Sequence, residues 1–240
     1  MELSPDETQA AESRRAASEG VKDVWPSLLG VVPFGLITGA AGTGAGLSVL
    51  QTVTSSVLLF AGASQLAAYQ LMGAGSPLLV IVLTVAVVNL RYVMYSASLA
   101  QYLVGWKPWW KVMGAYILVD QLYALSLHRF REPHLSRPLP RWVYYITGSL
   151  LTWLVWQVAV LVGAWLGAKV PPSWSLDFAI PLSFMAMVFA AIRDRPTALA
   201  ALAGGVVAMF AATLPYNLGL IVASLAGIGV GMGLERRQHG

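Results

Sequence analysis

Arg91 and Asp120 are the side chains whose type and place most demand a chemical explanation. Arg91 stands inside Val88-Asn89-Leu90-Arg91-Tyr92-Val93-Met94-Tyr95-Ser96, a run otherwise apolar enough to cross a bilayer, and no Asp, Glu, Lys or Arg occurs from Val24 to Leu90. A guanidinium at mid-membrane depth costs roughly 3 kcal/mol on insertion scales, so such a residue faces a bundle interior, finds a partner and serves function. Asp120 lies in the next apolar stretch. Arg91 is 14 residues before Gly105 and Asp120 is 12 residues after Pro108. At the helical rise of about 1.5 Å per residue, both sit about 18–21 Å from one shared turn. Pairing at a common depth would offset much of the insertion cost of each. The pair then reads either as a structural tie between two helices or as part of a substrate or proton path, and the two readings are compatible.

A second group has the composition of an interrupted helix. Transporters bind anionic or zwitterionic groups where a helix is broken, because free N–H groups at a half-helix start attract a carboxylate. Gly62-Ala63-Ser64-Gln65 offers small residues for close backbone approach, followed by two hydrogen-bonding side chains. Pro181, shortly after Asp177, would interrupt a later helix in the same way. The competing explanation is that these small residues permit tight helix packing. Gly35/Gly39, Gly42/Gly46 and Gly163/Gly167 have that packing spacing. Asn217, just after Pro215, is equally a turn former or a polar binding group.

These residues need elements to hold them, and composition names the elements. With 57% hydrophobic and 11% charged residues, the chain departs from a soluble domain, where about 25% are charged. Long apolar runs without strand-like alternation predict an all-α polytopic membrane protein. About eight spans are expected: Ser27–Leu47, Val49–Met72, Pro77–Val104, Trp110–Leu127, Trp142–Ala168, Trp174–Ile192, and two short helices between Pro196 and Leu234. Segments two and six are the broken ones, seven spans remaining if one of them re-enters, and two interruptions suggest an internal repeat. The expected organisation is a disordered cytoplasmic tail over 1–24, one transmembrane domain over 25–234, and a short tail over 235–240. With both termini in the cytoplasm, eleven basic residues lie inside and three (Lys107, Lys111, Lys169) outside, which satisfies the positive-inside rule.

Enzymatic chemistry finds little support. No phosphate-cradling loop of Gly-x4-Gly-Lys-Ser/Thr type occurs, and the chain contains no cysteine. His128, His134 and His239 lie in or beside loops without metal-ligand spacing. An intramembrane protease or lipid-modifying transferase would need His or paired Asp within the spans. We therefore expect no catalytic residues, metal or cofactor. The +4 net charge sits in short loops, where it reports topology and not nucleic acid.

Read together, several of these motifs resemble one family. Pro33-Phe34-Gly35, Gly46-Leu47-Ser48 and Gly62-Ala63-Ser64-Gln65-Leu66-Ala67 are similar to the first third of the AzlC family of branched-chain amino acid permeases. Asn89-Leu90-Arg91-Tyr92-Val93-Met94-Tyr95, Asp120-Gln121 and Leu176-Asp177-Phe178-Ala179-Ile180-Pro181-Leu182 resemble its later motifs. The resemblance covers roughly 21–234, with Gln121 standing where a glutamate is expected. It implies the large subunit of an exporter of valine, leucine, isoleucine or analogues in a bacterial cytoplasmic (inner) membrane, working with a small membrane subunit of the AzlD type. Gly62, Ser64, Gln65, Asn89 and Pro181 are then the substrate-binding candidates, and Arg91 and Asp120 the proton-coupling or ion-pair candidates. Gln121, Asp177 and Asn217 are secondary. The alternative function is an accessory or assembly subunit, or a channel for another small solute, whose activity resides in a partner.

Overall fold

The computed structural model describes residues 5–169, 195–212 and 218–238. Among them every regular element is helical: α1 (Pro5–Gly44), α2 (Val49–Leu58), α3 (Gly62–Gly73), α4 (Leu78–Leu99), α5 (Pro108–Tyr116), α6 (Asp120–Arg129), α7 (Pro138–Gly167), α8 (Arg195–Ala211) and α9 (Leu218–Gln238). Three helical stretches among the described residues are long and apolar enough to cross a membrane, Glu7–Gly44, Leu78–Tyr102 and Pro138–Gly167. The chain forms two compact units. One holds α1–α3, α4 from Val85 onward, and α5–α7; the other holds the first turns of α4 with α8 and α9.

The first unit is built on α1 and α7, which lie parallel. Small residues set their approach. Added methyl groups on Gly35 and Gly39 would run into Ala159 and the Val160 carbonyl, and methyls on Gly163 and Gly167 into Leu36 and Ala40. The two small-xxx-small spacings thus face each other, the close packing such motifs permit. Around this seam Val31, Trp156, Val160 and Ala164 are buried, while Leu154, Val158 and Trp165 on the outer face of α7 are exposed. An apolar outer surface is stable where acyl chains are the solvent.

α1 starts much earlier than expected. Residues 5–24, expected to be a disordered tail, continue the helix, and Ala16 and Val24 are completely buried. Partners distant in sequence order this stretch: Glu12 pairs with Arg137, Glu19 with His134 and Asp23 with Arg129. At the other terminus, 235–238 extend α9.

Two pairs of short helices enter the unit from opposite ends. After the turn at 45–48, α2 runs back along α1, so that Thr52 meets Gly42 and Ser56 reaches Trp156. The chain breaks at Leu59–Ala61 and α3 turns back: Tyr69, beyond the break, hydrogen-bonds Ser55, before it, at 2.7 Å. α5 starts at the opposite end, where Trp106 packs on Trp142 with ring centroids 5.0 Å apart. It then follows α7 inward, since Tyr145 Oη donates to Gly114 O at 2.7 Å and Trp153 Nε1 to Tyr116 Oη at 3.3 Å. The chain breaks at Ile117–Val119, and α6 returns until Phe130 packs on Tyr144 and Arg129 reaches Asp23.

This corrects the expected fourth span. Residues 108–129 do not cross; they form a re-entrant hairpin whose two ends lie at the same end of α7. The reason is length, because helices of 9 and 10 residues reach about 13–15 Å, half of a hydrocarbon core. Lys107, expected on the far side, therefore lies at the arginine-rich end, where Arg141 donates to the Tyr102 carbonyl. The second segment, expected as a broken helix that either spans or re-enters, is a hairpin.

In the second unit α8 and α9 lie antiparallel. Gly204 approaches Ala223 and Gly227, Gly227 approaches Ala200, and Gly219 meets Ala211. These are the two short helices expected after Pro196; their turn falls outside the described residues.

Candidate functional site

The two hairpin tips meet α7 one turn apart, at Trp153 and Trp156. A helix end inside a membrane must find partners for its orphan carbonyls, and each tip does so with side chains. At the end of α2, Leu59 N caps Ser55 O at 2.8 Å and Gln157 Nε2 donates to Ser56 O at 3.3 Å. Tyr116 Oη donates to Val57 O. Trp156 Nε1 adds a 2.9 Å bond to Ser56 Oγ. At the end of α5, Tyr145 satisfies Gly114 O. Gly62 opens α3 under the rings of Phe34 and Trp156, which a side chain there would strike.

Asp120 begins α6, in the first turn after the second break, where the helix dipole favours an anion. Arg91 on α4 meets it: Nη1 donates to Asp120 Oδ2 at 3.1 Å. The pairing inferred from depth is therefore present. Its side chains are 27% and 46% exposed, so part of the pair faces open space. Three tyrosines surround it. Arg91 Cζ lies 5.1 Å from the centroid of the Tyr92 ring. Tyr95 interacts with the Asp120 carboxylate and stacks on Tyr123 at 4.1 Å. Tyr123 donates to Ser98 Oγ at 3.3 Å. Sequence reasoning did not single out these tyrosines; the i,i+4 spacing of Tyr95 from Arg91 on one helix is the signal that could have found it.

The other candidates separate into distinct places. Ser64 and Gln65 are buried in the α2–α3 hairpin, with Ser64 Oγ donating to Ala61 O at 2.9 Å and Gln65 Nε2 to Tyr69 Oη at 3.3 Å. Asn89 precedes Arg91 by two positions, about 200° around the helix, and so does not share its face; its Oδ1 is buried without a partner. Gln121 follows Asp120 on α6 and is partly buried. Asp177, Pro181 and Asn217 lie outside the described residues, and with them the expected break in segment six.

A separate charged cluster closes the end where α1 begins. Arg129 holds Asp23 through two bonds of 2.7 and 2.9 Å, and Tyr144 donates to the same carboxylate at 2.8 Å. Burial alone would raise the Asp23 carboxyl; the bonds from Arg129 and Tyr144 and the Arg129 charge outweigh it and hold it below the ordinary range. Glu19 is likewise raised by burial but lowered overall by Arg15 and His134. Hydrogen bonds to Asp23 and Glu132 push Arg129 up. Glu19, Glu132 and His134 bring one ligand atom each within 4.8 Å of one another, a grouping invisible in sequence order. Arg15 and Arg129 already occupy the two carboxylates, so the cluster balances its own charge.

Comparison with known proteins points the same way. The family model described as AzlC protein matches residues 26–170, the stretch that carries both hairpins. The inner membrane protein YgaZ of Escherichia coli (strain K12) is 28% identical over 228 residues, covering 92% of this chain and 89% of that protein. An uncharacterized membrane protein of Archaeoglobus fulgidus is 26% identical over 211 residues, 87% of this chain and 91% of its own length. No solved structure matches the chain.

Proposed function

The chain belongs to the AzlC family of membrane proteins, and from that premise we propose that it is a secondary transporter exporting branched-chain amino acids. In this reading it works in a bacterial cytoplasmic membrane, with both termini in the cytoplasm and a small AzlD-like membrane subunit as partner. The observation that carries the reading is the Arg91–Asp120 pair at a hairpin tip, because a half-exposed ion pair at membrane depth needs a polar occupant on its open side.

Alternating access would then consist of movements of the two tips against α7. Each tip is held mainly by side-chain hydrogen bonds from neighbouring helices, which can exchange without unwinding a helix. Asp120 either takes the substrate ammonium or carries the coupled proton. Gly62, Ser64 and Gln65 shape the opposing tip, and Asn89 contributes an unpartnered acceptor on α4. Apolar and tyrosine side chains would receive the branched side chain.

The test is counterflow of labelled leucine and valine into vesicles, with and without a proton gradient, for the wild type, Arg91→Ala and Asp120→Asn. The reading predicts saturable counterflow that Arg91→Ala abolishes and Asp120→Asn reduces. Normal counterflow in both variants would remove the site, and activity unaffected by deleting this chain would favour a transport site in the partner.

A further inference from the structure

Resting on that transport reading, we propose that Arg91 is the carboxylate receptor of the site. Once movement of the α6 tip uncovers them, the Nε–Nη2 edge of its guanidinium receives the substrate α-carboxylate and Asp120 Oδ1 binds the α-ammonium. The pair is then a receptor for the zwitterionic head group and not only a tie between helices.

The incompleteness of the ion pair carries this assignment. A guanidinium and a carboxylate gain most from two parallel N–H···O bonds, yet Asp120 uses one oxygen on one nitrogen, Oδ2 on Nη1. Arg91 Nε is buried without a partner. Nη2 has a single long approach, 3.4 Å to Tyr92 Oη. These two nitrogens share one edge and form a donor fork that fits a carboxylate. On the acid, Oδ1 is a buried acceptor without a partner. A donor fork beside a carboxylate that Tyr95 also approaches matches the two ends of an amino acid, and a bound zwitterion adds no net charge to the membrane interior.

The α2–α3 tip offers a carboxylate much less. Ser64 has spent its hydrogen on Ala61 O. Gln65 donates to Tyr69 Oη, which contacts Ser55 Oγ at 2.7 Å, and Ser55 donates to Thr52 O at 2.8 Å. Three hydrogens serve these three contacts only when the amide nitrogen of Gln65 faces Tyr69. Its free atom is then Oε1, an acceptor. Its side chains can accept a donor but have no free hydrogen for a carboxylate.

Labelled-leucine counterflow in membrane vesicles from cells that express the full chain together with its small membrane subunit tests the assignment, with isocaproate (no ammonium) and isoamylamine (no carboxylate) as competitors. In the wild type both should compete about tenfold or more weakly than leucine, the loss of one charge-assisted contact. Arg91→Lys keeps the charge but loses the fork: KM for leucine should rise about tenfold, with Vmax within about threefold, and isoamylamine should compete as before. Asp120→Asn should weaken isoamylamine and spare isocaproate. An unchanged KM in Arg91→Lys overturns the assignment. So does wild-type isoamylamine competing as well as leucine, a result that needs no folded variant. Absence of leucine counterflow in the wild type would overturn the transport reading itself; counterflow with an unaltered Arg91→Lys overturns the receptor alone.

Discussion

Tyr116 ends α5 and donates its hydroxyl to the Val57 carbonyl in the last turn of α2, so one side chain joins the tips of two hairpins that enter the unit from opposite ends. Trp153 donates to the same hydroxyl and anchors the junction to α7. Whatever moves one tip must break or carry this contact.

Tyr116→Phe should therefore weaken the junction without disturbing packing. Val57 O would lose its partner, at a cost of about 1–2 kcal/mol. The expected outcome is a lower thermal midpoint in detergent and a changed counterflow rate with little change in KM. An unaltered midpoint and rate would show that the tips are not coupled through this residue.

Gly62→Val tests the aromatic lid over α3. The added side chain would strike Trp156 and Phe34, and overpacking of this kind costs about 1–3 kcal/mol. Combining it with Trp156→Leu should recover part of the lost thermal stability. No recovery would mean that Gly62 serves something other than close approach to these rings.

The charged end gives a pH dependence of known sign. Asp23 and Glu19 are both held below their ordinary range, so their stabilisation is complete above the unfolded carboxylate values and is lost as pH falls through the folded ones. The thermal midpoint should stay flat near neutrality and fall below about pH 4.5. Arg129→Gln should lower the neutral midpoint, by on the order of 2 kcal/mol of stability, and make the acid fall shallower. An acid profile identical to that of the wild type would contradict this role.

How much of this was legible in the sequence depends on where each cause resides. Arg91 and Asp120 were legible because an ionised group in hydrocarbon is costly wherever it occurs, and equal spacing from one turn supplied a partner. The break in the second segment was legible from Gly62 and the polar residues after it, but its return as a hairpin was left open. The second hairpin was not legible: Trp110–Leu127 is apolar and long enough to span, and no glycine or proline marks the break at Ile117–Val119. That break exists because Tyr145 and Trp153, far along the chain, hold Gly114 O and Tyr116. The N-terminal helix escaped notice for the same reason, since Arg129, His134 and Arg137 order a segment that is polar on its own. The repeat expected from breaks in segments two and six rests on Pro181, which lies outside the described residues.

The central claim is that 108–129 enter and leave at one face, bringing the second tip to Arg91. The chain has no cysteine, so single cysteines at Lys107, Arg131 and Lys169 can be read with a membrane-impermeant maleimide in cells and in inverted vesicles. Cysteines replacing Lys107 and Arg131 should react from the same side, and the one replacing Lys169 from the other. Lys107→Cys reacting from the side of Lys169→Cys would make the segment a span and contradict the account.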